Sequence, residues 1–438
     1  MTDYFDDIPP IAFEGPDSGN PLAFRAYEAE RMVLGKPMRE QLRMAVCLWH
    51  NFAWGGHDIF GDPAFERPWL TGQWDADSNR VRLDAAFDFV ARLGAPYFCF
   101  HDLDVMEAPE SLRDHERKLA DAEAIIAGKM EETGLGLLWG TANLFGHRRF
   151  MAGAATNPDP DIFAYAAAQV KLALETTHRL GGENYVLWGG REGYDSLLNT
   201  DMRRELDQLG RFLALVAEHK HKIGFKGLLL IEPKPQEPTK HQYDYDVSTV
   251  AGFLRRYGLD KEYAVNIEVN HATLAGHSFE HEVASAYAHD IFGSIDINRG
   301  DPQNGWDTDQ YPNNAADLAT AMTLIMEHGG FTSGGFNFDT KLRRQSIDAE
   351  DMFHAHIGGM DTLARALLIA EKVIEDGQLA AFREQRYAGW SEDRGRRILS
   401  GDLSLADLAE EALAANRDPR PVSGRQEYLE NLVNRQAG

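Results

Sequence analysis

Only two cysteines occur among the 438 residues, Cys47 and Cys99, and both fall inside apolar runs. Two such residues make neither a disulfide framework nor a thiolate zinc site. Basic residues are scarce too: 44 lysines and arginines stand against 69 aspartates and glutamates, a net charge of −25. Nucleic acid and anionic membranes both require a basic face, so neither is expected as a partner. No apolar stretch is long enough to span a bilayer. The opening residues, MTDYFDDIPP, lack the basic-then-apolar pattern of a secretory leader, and a cytoplasmic location is expected. The H-E-x-x-H pattern of zinc hydrolases is also missing. A phosphate-binding G-x-G-x-x-G turn is missing as well. The one candidate, GGREG at 189–193, has the wrong spacing, which weighs against an open, doubly wound sheet.

What the chain does have is a repeated rhythm. Apolar runs occur at 43–52, 95–104, 135–145, 184–193, 225–235, 262–271, 291–300 and 334–341. Segments with 3.6-residue periodicity separate them, for example ESLRDHERKLADAEAIIAGKMEETG and TDMRRELDQLGRFLALVAEHKHKIG. Buried strands alternating with helices imply a parallel sheet, and eight such units imply a closed (β/α)8 TIM barrel, an α/β fold. Residues 1–40 read as an N-terminal arm, in which RAYEAERMVLG (25–35) predicts a helix ending at Gly35. Residues 41–378 read as the barrel. Residues 379–438 read as a polar helical tail with a Pro-rich bend, suited to packing on a neighbouring subunit.

Active sites of such barrels lie at the C-terminal strand ends. The second run delivers His101, Asp102 and Asp104, the fifth Glu232, Lys234 and Glu237, and the sixth Glu268 and His271. The seventh delivers Asp296 and the loop RGDPQNGWDTDQY with Asp301, Asp307 and Asp309, and the eighth Asp339. Taken alone, the aspartate loop is either a solvated acidic loop or half of a metal site. Acidic groups ending four consecutive strands would repel one another at a shared mouth unless cations lay between them. The donors are mostly oxygen with one imidazole and no thiolate, which favours Mg²⁺ or Mn²⁺, with Co²⁺ possible. So many carboxylates suit two ions with a shared carboxylate better than one. Lys234, flanked by Pro233 and Pro235, shares an extended face with Glu232 and serves as donor to a substrate oxygen, as counter-ion, or both. Trp49, Trp139 and Trp188 read first as core, and near strand ends they would also wall a pocket.

Six stretches in order, FCFHDLD (98–104), VLWGGREGYDSLLNTD (186–201), LLIEPKPQEPTKHQYDYD (229–246), IEVNHATLAGHSFEHE (267–282), SIDINRGDPQNGWDTDQYP (294–312) and GGFNFDTK (334–341), resemble the xylose isomerase family, its longer subgroup in particular. The resemblance covers nearly the whole chain. It implies His101 as the ring-opening group with Asp104 orienting it, and Lys234 as the lysine on the substrate's O1. It implies Glu232, Glu268, Asp296 and Asp339 around a first divalent cation. Glu268, His271, Asp307 and Asp309 would surround a second, with Glu268 bridging. Trp49 and Trp188 would sandwich the sugar, Thr141 and Phe145 would complete the pocket, and Phe60 would be lent to a neighbouring subunit's site. The implied activity is D-xylose to D-xylulose isomerisation by ring opening and a metal-assisted 1,2-hydride shift, with D-glucose to D-fructose as a side reaction, in a homotetramer. The rival readings are another metal-dependent sugar isomerase on the same barrel, a metal-dependent phosphodiesterase or nuclease, which the charge of −25 disfavours, and a non-catalytic sugar-binding protein.

Overall fold

Eight parallel strands, each followed by a helix, close on themselves in a computed structural model that describes residues 4–70 and 75–437. The strands are β1 (Ala45–Cys47), β2 (Tyr97–His101), β3 (Gly136–Thr141), β4 (Asn184–Trp188), β5 (Leu228–Glu232), β6 (Tyr263–Glu268), β7 (Phe292–Asp296) and β8 (Phe336–Phe338). The helices that follow them are α1 (Ala76–Leu93), α2 (Leu112–Thr133), α3 (Pro160–Arg179), α4 (Met202–Ile223), α5 (Val247–Tyr257), α6 (Phe279–Ala288), α7 (Ala315–Glu327) and α8 (Glu350–Asp376). Each strand lies within one of the eight apolar runs. Asn337 of β8 pairs with Ala45 of β1, which closes the barrel. The middle of the ring is joined by β4 and β5, where Glu232 sits opposite Trp188.

Strand alternation sorts the side chains into two layers. Outward residues such as Phe98, Phe100, Leu229, Ile231, Val265, Ile267 and Ile295 pack in the large core against the helices. Inward residues Ala45, Cys99, Leu138, Val186, Leu230 and Ala264 fill a separate cluster inside the barrel. The same alternation carries the inward set upward from Cys99 to His101, from Leu230 to Glu232, from Asn266 to Glu268 and from Ser294 to Asp296. The chemistry therefore rides on the inward face and the packing on the outward one. Cys47 and Cys99 are buried free thiols, as two isolated cysteines imply.

Short side chains cap most of these helices. Asp75, Ser111, Asp201 and Asp246 each accept a backbone N–H from the first turn, which meets one of the otherwise unpaired donors there. Gly94, Gly134, Gly224 and Gly258 end helices in the left-handed conformation, which costs glycine little.

The predicted helix over 25–35 does not form. Met32–Val33 pairs antiparallel with Lys36–Pro37, and the turn between them puts Leu34 at φ 48° and Gly35 at φ 85°. Tertiary contacts override the local pattern. The buried Asp361 of α8 accepts the backbone N–H of Arg25, Ala26 and Tyr27, each at 2.8 Å, and the antiparallel pairing of 32–33 with 36–37 takes the rest of the segment out of helical geometry. Beyond Gly377 the chain runs through α9 (Gln378–Ser391), α10 (Asp393–Leu399), α11 (Leu405–Ala415) and α12 (Gln426–Asn434). Neither α9 nor α11 buries a residue. Helix α12 returns to the barrel, where Val433 packs beside Ala319 and Val373.

Candidate active site

The strand ends open into a cavity. His101, Glu232, Lys234, Glu268, His271, Asp307, Asp309 and Asp339 line it, together with Trp49, Trp139, Thr141, Phe145 and Trp188. Asp296 lies just beneath, fully buried. Of the residues singled out from the sequence, Phe60, Asp102, Asp104 and Asp301 are not on this wall. Phe60 is 81% exposed and borders a neighbouring groove. Asp104 stands behind His101, accepting from its backbone N–H at 2.7 Å and lying 3.0 Å from its Nδ1.

Carboxylates converge as the spacing implied. Oxygens of Glu232, Glu268, Asp296 and Asp339 all lie within 4.8 Å of one another, and so do those of Glu268, Asp307 and Asp309. Nε2 of His271 is 2.9 Å from Glu268 and 3.1 Å from Asp307, which joins it to the second group. Glu268 belongs to both. Strand register produces this: Glu268 and Asp296 are paired neighbours at the ends of β6 and β7.

So much buried like charge shows in the acidities. Burial first, and then the neighbouring Asp296, hold the Glu232 carboxyl well above the usual range. Burial and Asp307 do the same to Glu268. Burial and Asp339 push Asp296 up to about 8. Asp307 shifts the other way: burial opposes its charge, but Lys234 and His271 outweigh it. Asp296 Oδ2 is buried with no hydrogen-bond partner among the described residues. A hard cation would satisfy that oxygen and relieve the repulsion. The donor set, six carboxylates and one imidazole, fits two oxygen-seeking divalent ions.

Two sides of the cavity are specialised. Lys234 Nζ donates to Asp307 Oδ2 at 2.7 Å and stands 5.2 Å from the centre of the Trp188 ring. Burial works against its charge, yet Asp307 and Glu268 raise it above the ordinary lysine value, so the ammonium persists. Among the aromatic groups, Trp49 meets His101 edge-on at 4.6 Å, and Phe145 meets Trp188 at 4.4 Å. Trp49 also donates its indole N–H to Asp339 at 2.9 Å. Thr141 is on the wall, but its hydroxyl donates to the Val186 carbonyl at 2.6 Å.

The structure adds residues that strand-end reading passed over. His50, beside Trp49, lies 3.1 Å from Asp339 and 3.4 Å from Asp309. Burial disfavours its charge, but those two carboxylates prevail and bring it to about 9. Lys341 donates to Asp309 at 2.7 Å. Asn298 donates to Glu268 at 2.7 Å and to the Asp339 carbonyl at 3.0 Å. His50 had a signal, since it too is a polar residue closing an apolar run. Asn298 had none. Asp102 turns away from the cavity and accepts from Leu103, Asn143 and Gln169, each at 2.8 Å, tying β2 to the loop after β3. Glu192 is buried outside the mouth and accepts four bonds from Ala154, Ala155 and Thr156, which anchors that same loop.

A protein named xylose isomerase from Burkholderia ambifaria is 60% identical over 431 residues, covering 98% of each chain. The chain belongs to the xylose isomerase family. A family member from Photobacterium profundum is 59% identical over 434 residues, covering 99% of each chain. The family model for the XylA2 C-terminal domain matches residues 383–437, the stretch of exposed helices beyond the barrel. Among solved structures, an L-ribulose 3-epimerase aligns over 76% of this chain and 97% of its own, with TM-score 0.51 and 13% identity. At that identity the likeness shows the shared barrel alone.

Proposed function

We propose that this chain interconverts D-xylose and D-xylulose by opening the sugar ring and shifting a hydride between C2 and C1, with D-glucose and D-fructose as slower substrates. Family membership supports the reaction class. The observation that carries the chemistry is the pair of carboxylate groups sharing Glu268, facing His101 and Lys234 across one aromatic-walled cavity. Glu232, Glu268, Asp296 and Asp339 would hold one divalent cation, and Glu268, His271, Asp307 and Asp309 a second. Mg²⁺ is the expected ion, with Mn²⁺ or Co²⁺ accepted. When bound, such ions polarise sugar oxygens and offset the negative charge that develops on them.

The chain's own groups do the rest. Asp104 occupies Nδ1 of His101, so Nε2 is the nitrogen left to move the ring-opening proton. Lys234 donates to O1 of the open chain as charge develops there, a role that needs a permanently charged ammonium. Trp49, Phe145 and Trp188 keep water from the migrating hydrogen. Thr141 contributes shape rather than a hydroxyl bond. The helices beyond residue 378 expose Tyr387, Trp390, Leu405 and Leu413. We read them as packing on neighbouring subunits of a cytoplasmic homotetramer in which Phe60 completes an adjacent site.

The test is ketose formation from D-xylose by chelator-stripped protein, with and without Mg²⁺, Mn²⁺ or Co²⁺. Activity only with metal is expected, with the C2 hydrogen retained when the reaction runs in deuterated water. No activity with any of the three ions would move the assignment to another aldose on the same barrel. Full solvent exchange would replace the hydride route with proton abstraction.

A further inference from the structure

The motif GHSFEHE (276–282) carries chemistry that the barrel mouth leaves unused. His277 precedes α6, while His281 and Glu282 lie in its first turns. One ring nitrogen of each histidine and one carboxylate oxygen of Glu282 lie within 4.8 Å of one another. None of the three lines the mouth cavity. The two imidazole rings are 4.7 Å apart between centroids.

Glu282 needs explaining. It is 3% exposed, and its Oε2 accepts the Val247 N–H at 2.9 Å. Its Oε1 is buried with no hydrogen-bond partner among the described residues. An unpaired buried carboxylate oxygen is costly and marks a place where an ion or donor belongs. Asp246, the capping residue of α5, holds Nε2 of His277 at 3.1 Å. A carboxylate behind an imidazole is the usual support of a metal-binding histidine.

We infer that His277, His281 and Glu282 form a third cation site, one for a borderline transition metal such as Zn²⁺. Two imidazoles and one carboxylate suit Zn²⁺ or Co²⁺ far better than Mg²⁺, in contrast to the carboxylate-rich mouth. His281 is exposed, which leaves the outer coordination position to water. The ion ties the start of α6 to the start of α5, the joint that Glu282 and Val247 already form.

His281→Ala on the full-length protein is the test, because an exposed side chain can go without disturbing the core. Chelator-stripped wild type and variant are dialysed against micromolar Zn²⁺ and their metal is counted by elemental analysis. Both keep the same mouth, so the difference counts this site alone. Wild type is expected to hold one more zinc per chain, and removing a coordinating imidazole to weaken that ion by at least the roughly 100-fold that losing an outer-shell partner costs. Glu282→Gln is expected to lose the same equivalent, and Mg²⁺-supported isomerisation to stay unchanged in His281→Ala. Equal zinc in wild type and His281→Ala overturns the site, whatever reaction the mouth performs. Full zinc in Glu282→Gln removes Glu282 from it and overturns the assignment as stated.

Discussion

His356 should make this protein lose stability on acidification. It is fully buried on α8, with Nδ1 donating to the Met352 carbonyl at 2.7 Å and Nε2 without a partner among the described residues. Its ring packs against Phe89, Tyr311 and Phe338, so it props up both β8 and the aspartate loop. Burial, only partly offset by the Met352 bond, lowers its proton affinity from 6.5 to about 4. Above pH 6.5 neither the folded nor the unfolded imidazole is charged, and the group makes no difference. Below 6.5 the unfolded chain takes up a proton that the folded chain refuses until about 4. Stability therefore falls across that window. At about 1.4 kcal/mol per pH unit, the gap between 6.5 and about 4 amounts to about 3 kcal/mol. The comparison is His356→Asn, which keeps an N–H near Nδ1 and does not titrate. Urea unfolding midpoints would be followed from neutral pH down to 4 at fixed protein and Mg²⁺ concentrations. Loss of metal and protonation of other groups affect both proteins alike and cancel in the difference. The variant should start lower because of its cavity and then show the shallower acid slope. Parallel pH profiles would refute the reasoning, since His356 would then titrate alike folded and unfolded.

Three further outcomes are expected. Lys234→Met should lower kcat by about 100-fold or more with metal content unchanged; a kcat within threefold of wild type would remove Lys234 from the chemistry. Glu192→Ala leaves three buried N–H groups and the Thr156 hydroxyl without their acceptor, and should cost about 4 kcal/mol in denaturant unfolding; a loss below about 1 kcal/mol would mean that water or a shifted loop replaces it. Asp361→Ala should release the N-terminal arm, seen as faster hydrogen exchange at Arg25, Ala26 and Tyr27, while the barrel strands keep their protection; unchanged exchange at those three amides would show that the arm is held by packing instead.

Much of this architecture is written locally. Eight runs of apolar residues bounded by helical periodicity are readable as strands because burial on both faces demands continuous hydrophobicity. His101, Glu232, Glu268, Asp296 and Asp339 are readable as a convergent set because a charge ending a buried strand has no other economical place in a barrel. The helical pattern at 25–35 misleads because it is local, while the acceptor of that segment's hydrogen bonds, Asp361, lies over 300 residues away.

Sequence by itself determined the barrel, the identity of its inward-facing chemistry and the hard-cation character of the donor set. All three follow from short-range alternation and residue type. Tertiary structure physically brings these groups together, in the grouping around Glu268 that the family resemblance implied and in contacts that no sequence reading supplied. Ring closure and strand register put Glu268 in both carboxylate groups, set His50 and Lys341 against the aspartates, and turned Asp102 outward to brace a loop. Those relations depend on how strands distant in sequence are staggered around a closed ring, and a linear pattern does not encode that stagger one residue at a time.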